Sequence, residues 1–463
     1  MAQDRTVARG AVPEKTEGLI RQLGVGTATA LVVSNMIGTG VFTTTGFLAG
    51  DLGDVSVVFL IWVVGAICAL AGAFCYAELG VNYPSSGGEY VYLTNAYGPV
   101  WGFMTGWVSY FAGFSAPIAA AALAFSDYLG YFLPGVKQEN AYFSAGFLRF
   151  GPAQLVACSL IVLLTLLNLF GVQRVAKFQN VFTSLKIVVI ISFIILGFTI
   201  GTGSWDHFSQ PAVRTSTSAL PYQFAVSLFF IYASYSGWNA ATYVAEELRR
   251  PERTLPLALT AGTILVAALY IGLNAVFIYG VPLEQMKGVL AIGALSASHL
   301  FGKEIAGLFG ALMALSLVST VNAMVTIGPR VYYAMAKNRA FLASAAKVHP
   351  KWHTPVNAIL AQGVASLLMT FTSFVSLIQF IGFTLSLFAG LSVASLFVFR
   401  KRPGWRKLAV VNFAFPLVPV IFLLICGWTV IMGLRMEPMV SLSALAMVGA
   451  GALVYKFRIQ QNH

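Results

Sequence analysis

Charge is scarce in this chain. Of its 463 residues, only 10% are Asp, Glu, Lys or Arg, and 58% are hydrophobic. A soluble domain carries about 25% charged residues, so composition alone excludes an ordinary soluble enzyme or binding module. Cysteine and histidine are scarce as well, at four and five. Cys68, Cys75, Cys158 and Cys426 all fall inside apolar runs, at spacings that suit neither a metal site nor an extracellular disulfide framework. His207, His299, His349, His353 and His463 fall in loops, at interfaces or at the tail, and make no ligand cluster. No metal, no cofactor and no catalytic group is therefore expected. No lysine of the phosphate-cradling kind follows Ser85-Ser86-Gly87-Gly88. A cleavable leader is not expected either: residues 1–22 are polar with acids among them, and the first apolar run is too long for one. A membrane enzyme or receptor would need a polar catalytic cluster or a sizeable soluble domain, and the loops are too short for that.

What the chain has is long apolar runs. About 20 such residues cross a bilayer. Twelve runs qualify, near 23–48, 54–80, 99–132, 153–171, 178–201, 221–246, 256–280, 305–336, 355–373, 375–399, 409–433 and 438–457, with a tight turn expected between Thr370 and Ser376. The net charge of +12 lies between these runs. With the N-terminus inside, 21 of the Lys and Arg residues fall on inner segments and 6 on outer ones, with Lys186 left within a run. That asymmetry places both termini in the cytoplasm. The positive charge is an orientation signal and gives no reason to expect nucleic acid.

Two runs are interrupted at matching places. The first reads Ser34-Asn35-Met36-Ile37-Gly38-Thr39-Gly40-Val41-Phe42, and the sixth reads Ala233-Ser234-Tyr235-Ser236-Gly237-Trp238-Asn239. An unbroken helix satisfies all its backbone groups in lipid, so small residues at mid-depth need another reason. A packing seam between helices is one. A substrate site built from unwound backbone is the other, and two interruptions in corresponding positions favour it. Glycines free the N–H groups near Thr39 and Gly40, where a following half-helix turns its positive end to the gap and suits a carboxylate. The half-helix that ends near Ala233–Tyr235 leaves carbonyls that suit an ammonium. The matching ligand is an α-amino acid, moved by a secondary transporter. The interruptions open two sets of five runs, 23–201 and 221–399, and an odd number per set inverts the second relative to the first. Runs 11 and 12 (409–457) lie outside that plan, between the inner segment 1–22 at one end and the tail 458–463 at the other. The fold class expected is therefore an all-α integral membrane protein with twelve transmembrane helices, a 5+5 inverted repeat, and helices 1 and 6 discontinuous.

Lys186 is the one basic residue well inside a run. An unpaired ammonium there is costly, so it should face the bundle and find a partner; snorkelling to the inner surface is the alternative. Its charge would deter a nearby sodium ion. Glu78, Asp127, Glu246 and Glu247 sit near run ends, and no carboxylate is expected to face the pocket, which favours neutral substrates over cationic amino acids or polyamines. Proton-coupled symport, with Lys186 changing protonation, is the mechanistic alternative to exchange.

Four marker segments follow one another along residues 20 to 400. They are Gly38-Thr39-Gly40-Val41-Phe42; Tyr76-Ala77-Glu78-Leu79-Gly80 with Pro84-Ser85-Ser86-Gly87-Gly88-Glu89-Tyr90-Val91-Tyr92; Ser236-Gly237-Trp238-Asn239 with Glu246-Glu247-Leu248 and Pro251-Glu252-Arg253-Thr254-Leu255-Pro256; and Gly328-Pro329-Arg330-Val331-Tyr332-Tyr333-Ala334-Met335-Ala336 with His349-Pro350 and Thr354-Pro355-Val356. In this order they resemble the amino acid–polyamine–organocation (APC) superfamily, and the Gly-Trp-Asn form its L-type branch. The resemblance implies a LeuT-like fold with alternating access. It implies that the substrate carboxylate meets N–H groups at Thr39 and Gly40, and its ammonium meets carbonyls of Met36 or Ile37, Ala233 and Ser236. The pocket residues it implies are thus Met36, Ile37, Gly38, Thr39, Gly40, Ala233, Tyr235, Ser236, Gly237, Trp238 and Asn239. Lys186 would replace a sodium ion, bridging Ser34 to Ser319 or Thr320, which implies sodium-independent transport, commonly exchange.

Three departures accompany it. Ala233 stands where relatives often hold an aromatic gate, leaving Tyr232 or Tyr235 to substitute. Ser34 stands where Gly is frequent. The outer loop 133–152 lacks the cysteine that animal light subunits use to bond a glycoprotein, so no disulfide-linked heavy subunit is expected, and a bacterial inner membrane is.

Overall fold

The computed structural model describes residues 21–459 apart from Gln22, Ser86, Phe147, Gly171, Asn338, Pro350, Lys351 and His353. The expected inner segment 1–22, all but Arg21, lies outside the described residues, as do His353 and His463. The described chain is helical except for a small antiparallel ribbon, β1 (Phe143–Ala145) with β2 (Leu148–Phe150). In chain order the main helices are α1 (Val25–Met36), α2 (Gly40–Leu52), α3 (Val55–Asn82), α4 (Glu89–Tyr97), α5 (Pro99–Leu129), α6 (Pro152–Leu169), α7 (Val172–Thr199), α8 (Leu220–Tyr235), α9 (Pro251–Gly280), α10 (Ile292–Lys337), α11 (Val356–Met369), α12 (Phe374–Phe399), α13 (Leu417–Met436) and α14 (Pro438–Val454).

By length and apolar character, eight of these can cross a bilayer, and the pair α1–α2, bent by 41°, makes a ninth. The other three expected runs hold shorter apolar helical stretches. α8 stops at Tyr235, α11 has 14 residues, and α7 is apolar over Ser184–Thr199. One local expectation is corrected. The second half of run 6 coils as a 3-10 helix, Ala240–Glu247. Gly302, three residues before the expected start of run 8, adopts φ 79°, a left-handed value that glycine tolerates without strain, and parts that run from a short helix that begins at Ile292. The turn between α11 and α12 lies at Thr370–Ser373, and Ser373 caps α12 by accepting from Ser376 N–H.

Around the two breaks, α1 packs on α9, α2 on α8, and α3 on α9. Small residues allow the closest approaches. A Cβ on Gly40 would lie 2.3 Å from Ser234 Cα, and one on Gly237 would lie 2.7 Å from the Asn35 carbonyl carbon. Beyond the breaks on one side the bundle is sealed. Phe47 stacks between Phe230 and Phe374 at 5.3 and 5.9 Å, and the Gly50 and Gly53 carbonyls accept from Thr215 and Ala212 N–H. On the other side, the strand-like lead into α1 pairs with the chain after the 3-10 helix. Leu23 N–H donates to Glu247 O and Arg249 N–H donates to Leu23 O, each at 2.9 Å.

Glu78 ends α3 wholly buried. It accepts from Arg400 at 2.7 and 2.6 Å, from Trp405 Nε1 at 2.9 Å and from Leu408 N–H at 3.1 Å. The fork of the guanidinium and the two added donors meet both carboxylate oxygens, which is what a buried ion pair requires.

Candidate functional site

α1 ends at Met36 with Ile37 as its cap, Thr39 is the cap of α2, and the three residues 37–39 are left between the two helices. The N–H groups of Thr39, Gly40 and Val41 have no backbone acceptor among the described residues, as the first turn of any helix requires. They point α2's positive end at the gap. In the other break Gly237 takes φ 101°, Ser236 N–H turns back to Ala233 O at 3.3 Å, and Ala240 N–H bonds Gly237 O at 3.0 Å.

Both breaks border one cavity of about 820 Å³. Of the residues read from the sequence, Met36, Gly38, Thr39, Ala233, Ser236, Gly237, Trp238 and Asn239 line it. Ile37, Gly40 and Tyr235 do not. Tyr235 is turned away, bonding Trp62 O at 3.1 Å and packed on Trp62 and Tyr270, whereas Tyr232 lines the cavity. The remaining walls come from α5, α10 and α12 and from Phe422 on α13. α5 contributes Ser109, Gly113 and Phe114 from a π-helical stretch, Ser109–Ser115, a distortion that recurs at functional sites. Among the described residues none of 133–152, 202–219 or 281–291 borders the cavity, so it extends from the breaks toward the end where α1 starts and α10 finishes.

The carbonyls of the first break are already engaged. Lys186 Nζ, almost fully buried, donates to Ile37 O at 2.6 Å and to Thr320 Oγ1 at 3.2 Å. It thus spans α1 and α10; Ser319 precedes Thr320 and is buried, and Ser34 lies three residues before Ile37. Tyr270 Oη on α9 lies 2.5 Å from Met36 O and 3.0 Å from Ser234 O, its one proton between the two breaks. Met36 O also takes Gly38 N–H at 2.8 Å, which occupies both lone pairs. Met36 is therefore not free to receive an ammonium. Ala233 O, which accepts only Ser236 N–H outside its helix, keeps capacity.

The expectation that no carboxylate faces the pocket is not met. Glu89 and Glu247 both line it. Glu89 starts α4, and its oxygens accept from Asn239 Nδ2 and Tyr243 Oη, each at 2.5 Å. Burial pushes its carboxyl above the usual glutamate value, and the Tyr243 and Asn239 donors pull it back only in part. Sequence reading placed Glu89 in a motif without a role, because Asn239 and Tyr243 reach it from 150 and 154 positions away. Trp238 stands edge-on to Tyr76 at 4.7 Å and to Phe422 at 6.3 Å. Among the described residues no three of His, Cys, Asp and Glu come together to hold a metal ion.

Known proteins are similar to this chain in sequence. Human large neutral amino acids transporter small subunit 2 is 30% identical over 453 residues, covering 96% of this chain and 82% of that protein. Mouse b(0,+)-type amino acid transporter 1 is 28% identical, covering 92% and 85%. The serine/threonine exchanger SteT of Bacillus subtilis is 28% identical, covering 87% and 89%. The amino acid permease family model matches residues 23–450, so the chain belongs to the amino acid permease family.

Proposed function

We propose that this protein is a secondary transporter of neutral L-amino acids that works by alternating access and exchanges one amino acid for another without sodium. The observation that carries the reading is the meeting of two helix breaks in one cavity, with the Thr39 N–H, which has no backbone acceptor among the described residues, on one side and the Ala233 and Ser236 backbone on the other. A zwitterion's carboxylate belongs at the first and its ammonium at the second. Apolar walls from Ile378, Ile381 and Leu385 suit an uncharged side chain. No covalent chemistry is involved.

Twelve membrane crossings in a LeuT-like 5+5 inverted repeat fit the positions of the breaks in runs 1 and 6. The charge asymmetry supports cytoplasmic termini, and the cavity then faces inward. Lys186 sits between α1 and α10 where a coupling cation would otherwise hold them, which supports sodium independence. The named relatives include a large neutral amino acid transporter and a serine/threonine exchanger, in keeping with neutral substrates and exchange. One relative is called a small subunit. For this chain we favour a protein that acts alone in a bacterial inner membrane: its four cysteines are free and all sit on helices, away from any outer loop.

The test is uptake of labelled L-leucine by the purified protein in proteoliposomes, with and without unlabelled amino acid inside, competed by the other amino acids. Uptake that needs internal neutral amino acid and is unchanged when choline replaces sodium is expected. Uptake driven by a proton gradient into empty vesicles would replace exchange with symport.

A further inference from the structure

The cavity is larger than its ligand. Drug-sized molecules occupy pockets of about 300–1,000 Å³, and at about 820 Å³ this one leaves room beyond an amino acid held at the breaks. The surplus lies toward the inner mouth, bordered by Arg330, Tyr333, Glu247, Val348 and Pro355. Arg330 stands on α10 two turns from its end. It bonds the carbonyl of Thr326 on its own helix. Thr326 is in turn held by Asn168 Oδ1 and Asn322 O, each at 2.7 Å. The guanidinium is thus propped from below while most of its five N–H donors remain available. Among the described residues no carboxylate oxygen lies within 4.0 Å of it. Glu247 shares this part of the cavity wall with it and makes no ion pair with it.

We infer that Arg330 is a receiving station for the carboxylate of an amino acid that enters from the cytoplasm, a second binding position in the same cavity, with Glu247 facing the ammonium. The inference rests on the transport reading above. A planar fork matches a carboxylate with two parallel bonds, which a point charge does not. An amino acid approaching from inside passes Arg330 before it reaches Thr39. One approaching from outside binds at the breaks first and meets Arg330 only on its way out. The station therefore acts on one face of the membrane.

The experiment compares right-side-out with inside-out vesicles carrying wild-type protein, Arg330→Gln or Arg330→Lys, exchanging labelled L-leucine. Arg330→Gln is expected to raise the half-saturating concentration about tenfold for substrate offered on the cytoplasmic face, the loss of a hydrogen bond to a charged group. The value on the outer face should stay within about twofold, since the breaks are untouched. Arg330→Lys should fall between. Equal shifts on both faces would mean that Arg330 is a gate closing on Glu247, or a structural prop, and would overturn the inference. So would an unchanged cytoplasmic value in both variants. Wild-type protein that exchanges nothing from either face would overturn the transport reading itself, and the station with it.

Discussion

Gly40 and Gly237 set how near the two breaks can come. An alanine methyl at position 40 would lie 2.3 Å from Ser234 Cα, a backbone atom that cannot swing aside. Overpacking of that kind costs about 1–3 kcal/mol. Gly40→Ala should therefore lower the melting temperature in detergent as well as uptake. At Gly237 the left-handed φ of 101° adds strain to the steric conflict with Asn35, so Gly237→Ala should be at least as damaging by the same two measurements. Lys186 is different. Its ammonium ties the carbonyl that ends α1 to α10, and Lys186→Ala should cut leucine exchange by about tenfold or more while the protein still purifies as a monodisperse species. Glu89 offers a pH readout. Burial raises its pKa, so the folded state favours the protonated acid more than the unfolded chain does. The ionised form then costs stability as pH rises from about 4.5 through the higher folded value. Glu89→Gln removes that cost, and the thermal midpoint of the variant should decline less than that of the wild type over this interval.

At the scale of elements, the two breaks are legible in the sequence because glycine and small polar residues stand where a helix in lipid has no use for them. What fills those breaks is not legible. Tyr270 caps both from α9, 234 positions from Met36, and nothing in its apolar surroundings marks it. Glu89 is hidden for the same reason. Its neighbours in sequence make it look like the first acid of a surface helix, whereas folding brings Asn239 and Tyr243 onto its two oxygens. Boundaries are legible where punctuation is explicit, as at Thr370–Ser373 and at Gly302 ahead of run 8, and less so where run 6 coils into a 3-10 helix from Ala240 with nothing in its composition to announce it. Glu78 illustrates a tie between elements that can be measured. It joins the end of α3 to the end of α12 and to the loop that follows. Removing one partner strands a buried charge, at about 3–5 kcal/mol. Glu78→Gln and Arg400→Met should each destabilise the protein in thermal melts by more than the double variant does.

At the scale of the whole molecule, the aromatic seal around Phe47 and the cavity beyond the breaks describe one end of the bundle closed and the other accessible. A cysteine placed at Ser236 in a cysteine-free background should react with a charged maleimide from the cytoplasmic face, and excess leucine should protect it. Reaction from the outer face alone would contradict the assigned direction. The composition of the chain announces a membrane bundle, and its charges give the orientation that this labelling tests. The state of the bundle was beyond reach of the sequence, because it depends on which of two closures is made.

The short backbone ladder between Leu23 and the residues flanking Leu248 ties the lead into α1 to the end of the 3-10 helix, and the expected consequence is that the two move as a single lever. Spin labels on the two limbs of that lever would keep one fixed separation through a full turnover, while either limb would swing against α10. A pair of distance distributions, one sharp and one bimodal, would be the signature of a machine whose moving part is cross-stitched at its tip.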